Sequence, residues 1–183
     1  HFHLSLQSGC DETLKRMNRH YTTALYLEKC GILRQYFDRP ALTTDVIVGF
    51  PRETEEEFAQ TERFLETVHF SDMHIFKYSK RCGTKAADMP NQIDPQIQSV
   101  RSEKLIALGE RMKDDFLEAC KDQEQIVLIE EETEIDGTKY MTGHSKNYIR
   151  CAFEMDGLVP NMVIKGTINS KLNEEFVFCK RID

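Results

Sequence analysis

Short polar segments follow three predicted β-strands, and they contain residue types that commonly contact ligands. The segments begin at Gln7, Gly49 and Tyr78, in the runs LQSG, VGFP and YSKRCGT. Ligands bind where the C-terminal ends of parallel strands meet, so these positions are candidates for a binding site. Each also has a purely structural interpretation: Gln7 can cap a loop, Gly49 can sit in a tight turn, and Tyr78 can be a half-buried core aromatic.

Apolar runs alternate with helical periodicities in this part of the chain, which predicts the order β-α-β-α-β. A capping box formed by Thr54 and Glu57 predicts the start of a helix. The second strand is rich in β-branched residues, which predicts burial on both of its faces. The predicted elements are strands Phe2 to Gln7, Asp45 to Pro51 and Met73 to Tyr78, a short helix from Asp11 to Asn18, and a helix with Tyr26, Cys30, Leu33 and Phe37 on one face.

The spacing of these elements favours right-handed crossovers, so we expect the three strands to run parallel in one sheet. Three parallel strands cannot close a barrel, and they leave apolar edges and one face uncovered. We therefore hypothesise that the sequence is a piece of a longer protein. A missing N-terminal part of the same protein is expected to complete the sheet.

A long helix from about Gln96 to Cys120 is the predicted boundary between two domains, residues 1–95 and 121–183. Short strands separated by turns follow it, which is typical of a small antiparallel barrel of the OB type. The predicted fold class is thus α/β followed by an all-β module. The five predicted strands of that module are Gln125 to Glu131, Lys139 to Thr142, Tyr148 to Phe153, Met162 to Asn169 and Glu175 to Lys180.

Composition limits the classes of function. The chain has 183 residues, of which 40% are hydrophobic and 30% are charged, and its formal net charge is −7. No apolar run is long enough for a membrane helix and no signal-peptide pattern is present, so a soluble, cytoplasmic protein without a membrane partner is expected. A negative charge excludes nucleic-acid binding by bulk electrostatics, which means that any RNA contact must be local.

The six cysteines are widely separated, and no C-x-x-C or C-x-x-x-C spacing occurs. This pattern predicts reduced thiols and no local site for zinc or an iron–sulfur cluster. Cys10 and Cys82 both follow strand ends, but two isolated thiols do not make such a site. His1 and His3 alternate onto one strand face; two ligands are too few for a metal, so we expect fraying or a core-facing role.

Cations and aromatics cluster around a turn in the C-terminal module, where they can contact phosphates and stack on bases. The alternative is an ordinary polar hairpin. An RNA-binding role requires the acidic run Glu130-Glu131-Glu132 to face away from the RNA. The clustered residues are Lys139, Tyr140, His144, Lys146, Asn147, Tyr148 and Arg150.

Three runs of the chain resemble the fourth, fifth and sixth strands of radical S-adenosylmethionine methylthiotransferases, each with its following loop. They are HFHLSLQSGCDETLKRMNRHYT, TTDVIVGFPRETEEEF and HIFKYSKRCGTKAADMP. The C-terminal part, including GHSKNYIRCAFE, resembles the TRAM domain of these enzymes. The resemblance implies the C-terminal half of a partial (β/α)6 TIM-like barrel, a linking helix at 96–120, and a TRAM RNA-binding domain at 121–183.

The resemblance implies that the full-length protein modifies tRNA with S-adenosylmethionine and two 4Fe-4S clusters. A reduced cluster cleaves S-adenosylmethionine, the resulting radical abstracts hydrogen from adenine C2, and a methylated sulfur from the second cluster replaces it. The cluster-binding C-x-x-x-C-x-x-C has no counterpart here, so no residue of this chain is expected to be catalytic and the chain alone is expected to be inactive. The residues implied to hold S-adenosylmethionine are Gln7, Arg19, Asp45, Val46, Ile47, Gly49 and Tyr78, with Val46 to Gly49 offering backbone edges to its adenine.

The first and third runs look most like the type that acts on N6-threonylcarbamoyladenosine beside the tRNA anticodon. Isopentenyladenosine-directed and ribosomal-protein enzymes share the same scaffold and remain alternatives. A non-catalytic RNA-binding protein is the alternative of another class. Arg52 stands where the family usually has Gly, and Cys82 where it commonly has Pro. Neither difference removes an implied ligand.

Overall fold

The computed structural model describes residues 1–182, so Asp183, the last residue of the predicted second domain, lies outside it. Residues 2–116 form one compact unit, and residues 117–182 form another, with which His1 is grouped. We call them the α/β unit and the β-barrel unit, and each is considered by itself.

The α/β unit contains a three-stranded parallel sheet in the order β1-β2-β3, as expected. The strands are β1 (Phe2–His3), β2 (Leu42–Val48) and β3 (Asp72–Lys77). The first strand is shorter than predicted, and Gln7 rejoins the sheet only through an isolated bridge to Val46. Gln7 has a φ of 69°, a left-handed conformation that interrupts an extended strand.

Helices connect and cover these strands. They are α1 (Asp11–Arg16), α2 (Thr23–Tyr36), α3 (Glu55–Val68) and α4 (Pro95–Cys120), with a 3₁₀ helix at Lys85–Asp88. The predicted capping box is confirmed: the Thr54 hydroxyl accepts from the Glu57 N–H at 3.2 Å, and the Glu57 carboxylate accepts from the Thr54 N–H at 3.0 Å. Helix α1 ends two residues earlier than predicted, because Asn18 is left-handed with a φ of 58°.

The core of the α/β unit lies on one face of the sheet. Burial alternates along β2, so that Val46 and Val48 are buried while Asp45 and Ile47 are partly exposed on the opposite face. The expectation that this strand is buried on both faces is therefore wrong for the described residues, because the helices cover only one of them. Burial of each large side chain in this core contributes roughly 1.5–3 kcal/mol. The helix residues in the core are Tyr26, Cys30, Phe58, Leu65, Val68, Leu105, Leu108 and Met112.

The β-barrel unit is a closed five-stranded barrel in the order β4-β5-β6-β8-β7. Four of its strand pairs are antiparallel, but β6 and β8 are parallel. The prediction of an entirely antiparallel barrel is therefore wrong for this pair, since β8 enters between β6 and β7 instead of extending the meander. The strands are β4 (Glu124–Ile135), β5 (Thr138–Ser145), β6 (Arg150–Phe153), β7 (Val163–Lys171) and β8 (Val177–Ile182).

Candidate functional site

Gln7 lies at the C-terminal end of the first strand segment, and its backbone is fixed by the sheet. Its N–H donates to the Asp45 carbonyl at 2.8 Å, and its carbonyl accepts from the Ile47 N–H at 2.9 Å. The residue is 8% exposed. Within residues 1–182 its side-chain amide makes no hydrogen bond. An amide that makes no hydrogen bond within the described residues can donate to and accept from a polar ligand.

Tyr78 lies at the corresponding end of the third strand, on the other side of β2. Its N–H donates to the Val48 carbonyl at 2.9 Å, and its ring packs edge-on against Phe50 with centroids 5.2 Å apart. Its hydroxyl oxygen is buried and has no hydrogen-bond partner in the described part of the chain. An unpaired buried hydroxyl carries a desolvation cost of about 1–3 kcal/mol that a ligand can relieve.

Gly49 follows β2, and its backbone groups are already paired with side chains. Its N–H donates to the Glu53 carboxylate at 2.7 Å, and its carbonyl accepts from the Gln98 amide at 3.2 Å. A Cβ at this position would collide with the Gln98 side chain, and its φ of +73° is itself unfavourable for other residues. Gln98, rather than a ligand, thus makes the close approach that requires glycine.

The neighbouring residues of β2 do not offer free backbone groups either. The Ile47 N–H is bonded to Gln7, and the Val46 side chain is fully buried in the core. Because β2 is paired on both sides, the predicted backbone edge for an adenine is not free in this structure. What this segment presents on the open face is the side chain of Ile47.

Arg19, an implied contact of S-adenosylmethionine, lies in the exposed connection between α1 and α2. Its backbone N–H donates to the Leu14 carbonyl at 2.9 Å. The next aromatic, Tyr21, donates its hydroxyl to the carbonyls of Ser5 and Leu6. Burial raises the pKa of Tyr21, and the positive charge of Arg19 partly opposes this increase. Arg19 thus lies close enough to Tyr21 to affect its pKa, and the Tyr21 hydroxyl contacts the first strand segment.

Asp45 lies mid-strand on the open face, among groups that the sequence did not connect with it. Its Oδ2 is 3.2 Å from His3 Nε2 and 3.1 Å from the Ser5 hydroxyl, and its Oδ1 is 3.2 Å from His74 Nδ1. Burial alone would raise the pKa of Asp45, but the hydrogen bonds from His74, His3 and Ser5 lower it below its ordinary value. The expectation that His3 frays or faces the core is wrong, because it contacts Asp45.

His74 was missed by sequence reasoning, as were Glu53 and Gln98. His74 belongs with Asp45 only because the register of β2 and β3 places the two directly opposite each other. Period-two alternation could have put His74 on the open face, but not beside a particular residue of another strand. Glu53 and Gln98 support the Gly49 turn from outside the predicted strand ends.

The β-barrel unit brings several predicted RNA contacts to one hairpin. The turn after β5 is closed by hydrogen bonds from the Ser145 N–H to the Ile149 carbonyl and from the Tyr148 N–H to the Ser145 carbonyl. Tyr148 is 64% exposed, with a φ of 65° that turns the chain back. The rings of His144 and Tyr148 lie 4.6 Å apart. An exposed aromatic pair of this kind can stack on unpaired bases.

Two cations and one histidine of this surface contact carboxylates. His144 lies 2.7 Å from Glu130, Lys139 lies 2.7 Å from Glu132, and Arg150 lies 2.8 Å from Glu175. The requirement that the acidic run face away from this surface is not met for Glu130 and Glu132, because their carboxylates contact His144 and Lys139. Lys146 and Asn147, the remaining predicted contacts, lie in the turn itself.

The described cysteines do not form a cluster site. Cys82 is exposed, and the other five are buried and separate from any group of three metal-binding side chains. Within residues 1–182, the one such group that meets a 4.8 Å spacing is His3, Asp45 and His74. Among the same residues, no helix combines the length and apolar character needed to cross a bilayer.

A family model described as the radical SAM superfamily matches residues 1–65. The chain is 38% identical over 156 residues to the threonylcarbamoyladenosine tRNA methylthiotransferase MtaB of Bacillus subtilis, which covers 84% of this chain and 34% of the relative. It is 42% identical over 139 residues to the tRNA-2-methylthio-N(6)-dimethylallyladenosine synthase of Thermoanaerobacter sp., covering 76% of this chain and 30% of the relative. The threonylcarbamoyladenosine tRNA methylthiotransferase MtaB of Treponema pallidum is 40% identical over 131 residues, which covers 72% of this chain and 27% of the relative.

The chain thus spans about a third of the length of the curated relatives that it matches. Matches to relatives of both nucleoside types extend beyond residues 1–65, since they cover 72% to 84% of this chain. The strand-end motifs at Gln7 and Gly49 fall within the residues that the family model matches. The chain belongs to the radical S-adenosylmethionine methylthiotransferase family.

Proposed function

We propose that this chain is part of a tRNA-modifying enzyme that methylthiolates C2 of an adenosine derivative beside the anticodon. The observation that carries the proposal is the buried Tyr78 hydroxyl, which has no hydrogen-bond partner among the described residues, at the edge of the sheet where Gln7 ends the first strand segment. In this proposal the sheet is the C-terminal half of a partial (β/α)6 barrel, and the upstream part of the same protein supplies the other strands.

S-adenosylmethionine fits the donors present at this edge. Its ribose hydroxyls and amino group match the Gln7 amide and the Tyr78 hydroxyl, and Ile47 offers an apolar contact for its adenine. Arg19 is exposed near the first strand end, where it can pair with the carboxylate of the ligand. The predicted contact of Asp45 requires its carboxylate to exchange a histidine partner for the ligand.

S-adenosylmethionine, bound beside a reduced iron–sulfur cluster, supplies the radical chemistry that activates the C2–H bond. The residues of this chain contribute binding and orientation. The Gln7 backbone is locked by two sheet hydrogen bonds, and the Gly49 turn is held by Glu53 and Gln98, so the edge is preorganised before a ligand arrives.

The cluster ligands are proposed to lie outside this chain, because its described cysteines are scattered and mostly buried. We accordingly propose that the 183-residue chain alone does not catalyse, and that the full-length protein carries two 4Fe-4S clusters. Radical cleavage of S-adenosylmethionine by this chain after cluster reconstitution would contradict that part of the proposal.

The β-barrel unit is proposed to be a TRAM domain that holds the tRNA in the cytoplasm, where the substrate is found. His144 and Tyr148 supply stacking surfaces, and Lys146 supplies a cation for phosphate. Replacing Lys146 and Arg150 by Ala is expected to weaken tRNA binding and to flatten its salt dependence by about one unit of slope per lost phosphate contact. Unchanged affinity and slope would place the RNA contact elsewhere.

The substrate is proposed to be N6-threonylcarbamoyladenosine, as in the name of the Bacillus subtilis relative. The dimethylallyladenosine enzymes match at similar identity, so isopentenyladenosine is the second candidate. A ribosomal-protein substrate, carried by the same scaffold, is a third. Incubating the full-length, cluster-loaded protein with tRNAs bearing each nucleoside, followed by mass spectrometry of the digested tRNA, separates the two tRNA candidates.

Gln7→Ala and Tyr78→Phe in that full-length protein test the site itself. Both are expected to weaken S-adenosylmethionine binding at least about tenfold, because each removes a polar group proposed to bond to the ligand. Tyr36→Phe, at an 80% exposed tyrosine, is the matched control and is expected to have no effect. If the full-length protein binds tRNA yet neither cleaves S-adenosylmethionine nor modifies any tRNA, the non-catalytic RNA-binding alternative is favoured instead.

A further inference from the structure

We propose that His3, Asp45 and His74 bind a divalent transition metal ion of the zinc type on the open face of the parallel sheet. The three side chains belong to neighbouring strands, and their ligand atoms all lie within 4.8 Å of one another. The site is separate from the iron–sulfur clusters and does not depend on the proposed function, but it uses Asp45, so a metal ion here and the proposed contact of Asp45 with S-adenosylmethionine exclude each other.

The strand register builds the site. Asp45 lies directly opposite His74 across β2 and β3, and His3 lies opposite Thr43, two residues before Asp45. The three side chains therefore project from one face of a hydrogen-bonded sheet, whose other face is fixed by the buried core. Ligands on paired strands lose little additional conformational freedom when a metal binds.

The spacing of the ligand atoms suits a tetrahedral ion. His3 Nε2 and Asp45 Oδ2 are 3.2 Å apart, as are His74 Nδ1 and Asp45 Oδ1. In a tetrahedral zinc site with bonds of about 2.0–2.1 Å, neighbouring ligand atoms lie about 3.3–3.4 Å apart. These two distances involve different oxygens of the Asp45 carboxylate, so binding of one ion by a single oxygen requires the carboxylate or a histidine ring to rotate, within a group whose ligand atoms all lie within 4.8 Å of one another.

The hydroxyl groups of Thr43 and Ser5 contact two of the proposed ligands and orient them. His3 Nδ1 is 3.0 Å from the Thr43 hydroxyl, and the Ser5 hydroxyl is 3.1 Å from Asp45 Oδ2. When His3 Nδ1 carries the proton and donates to Thr43, the lone pair of Nε2 points toward the Asp45 carboxylate. In that tautomer a bound cation replaces the hydrogen bond between His3 and Asp45 by a bond to each of them, while Thr43 and Ser5 give the outer-sphere support common at metal sites.

The ligand set selects the class of ion. Two imidazole nitrogens with one carboxylate oxygen suit Zn²⁺, Co²⁺ or Ni²⁺, whereas Mg²⁺ and Ca²⁺ prefer oxygen ligands and iron–sulfur clusters require thiolates. The side chains of His3, Asp45 and His74 retain 36%, 27% and 62% of their exposure. That exposure leaves room for water or another ligand in the remaining coordination position.

The test is a titration of the untagged 183-residue chain with Co²⁺, followed by visible absorption, and with Zn²⁺, followed by calorimetry. Cys82→Ser serves as the background, since Cys82 is the exposed thiol among the described residues. One ion per chain is expected, with the d–d bands of tetrahedral cobalt. His3→Ala, Asp45→Asn and His74→Ala are each expected to weaken binding at least about tenfold.

His69→Ala is the matched control, because His69 also faces an aspartate, Asp115 at 3.8 Å, but has no second histidine in a site of this kind. It is expected to leave the affinity unchanged. The proposal is overturned if the parent chain binds no ion, or if the three variants bind as tightly as the parent. Circular dichroism of each variant establishes that the fold is intact, so loss of binding is not read from an unfolded chain.

Discussion

Arg101 and Glu53 form a buried ion pair, with the Arg101 guanidinium 2.7 Å from the Glu53 carboxylate and both side chains nearly inaccessible. The same carboxylate oxygen accepts the Gly49 N–H, so helix α4 is tied to the turn that follows β2. Burial raises the pKa of Glu53 above its ordinary value, and the Gly49 N–H and Arg101 only partly counteract this effect.

Arg101→Met is expected to lower the free energy of unfolding by about 3 kcal/mol, because it leaves Glu53 buried without its cation. Urea denaturation measures the loss. Lys104→Met is the control: Lys104 also pairs with a carboxylate, Glu62 at 2.7 Å, but is 54% exposed. Lys104→Met is expected to lower the free energy of unfolding by less than about 1 kcal/mol. Similar losses in the two variants would show that burial of the pair is not the deciding factor.

Glu57 connects pH to the stability of the α/β unit. Burial alone would raise its pKa, but two hydrogen bonds from Arg16 and one from the Thr54 N–H lower it below the ordinary value of 4.5. A carboxyl group whose pKa is lowered by folding stabilises the fold above its unfolded pKa and loses this contribution as the pH falls through the folded pKa.

Glu57→Gln is therefore expected to reduce stability at pH 7 by about 1 kcal/mol, a value that allows for partial solvent screening of the pair. The difference between parent and variant should shrink as the pH falls below 4.5. Urea unfolding at a series of pH values measures it. If the difference in the free energy of unfolding stays constant down to the lowest pH at which the parent folds, the charge of Glu57 does not stabilise the fold.

Arg52 occupies a left-handed position, with a φ of 67°, where the family resemblance leads one to expect glycine. Left-handed backbone costs about 1–2 kcal/mol for a residue with a Cβ, and glycine avoids most of that cost but gains entropy in the unfolded chain. Arg52→Gly is thus expected to stabilise the protein by up to about 1 kcal/mol.

Thermal or urea unfolding measures this increase in stability. Arg63→Gly is the control, and it is expected to decrease stability. Arg63 lies within helix α3, where glycine is expected to cost about 1 kcal/mol. A destabilising effect of Arg52→Gly would mean that the arginine side chain makes a compensating contribution in solution.

The carboxylates beside the RNA-binding surface are expected to limit its affinity. Glu130 and Glu132 lie 2.7 Å from His144 and Lys139, so a phosphate must displace them or tolerate their charge. The double change Glu130→Gln and Glu132→Gln is expected to tighten tRNA binding about three- to tenfold and to steepen its salt dependence. Filter binding or fluorescence anisotropy over a range of salt concentrations measures both quantities.

Glu124→Gln is the control for that change, because Glu124 pairs with Lys165, which is not among the predicted contacts. It is expected to alter the affinity by less than twofold. Weaker binding after the double change would show that Glu130 and Glu132 hold His144 and Lys139 in position for the RNA instead of competing with it.

Local signals were sufficient for much of the fold. The Thr54 capping box, the β-branched run of β2 and the helical stripe of α4 predicted elements that the structure contains. The end of the first strand was misjudged because the left-handed Gln7 is indistinguishable in sequence from an extended glutamine. The parallel pairing of β6 with β8 was missed because it joins segments about 25 residues apart, and no local sequence pattern predicts which distant strands pair.

The candidate site likewise contains residues that the sequence identified locally and contacts that depend on distant segments. Gln7 and Tyr78 were candidates because they follow apolar runs in the sequence and because the family resemblance implies them as ligands, and the structure leaves the Tyr78 hydroxyl without a partner among the described residues. Asp45 was predicted for its type alone, whereas its contacts with His3 and His74 depend on the register of three strands. Register is set by packing and turns across the whole sheet, so it was not accessible from single segments.

The position of β8 also has a consequence for biosynthesis. Because β8 pairs with both β6 and β7, the barrel closes only after residues 177–182 have left the ribosome. Until then, the edges of β6 and β7 have unsatisfied backbone groups that can pair with other nascent chains. Truncations that remove this segment should accumulate in inclusion bodies, whereas the same number of residues removed from an exposed loop should not have that effect.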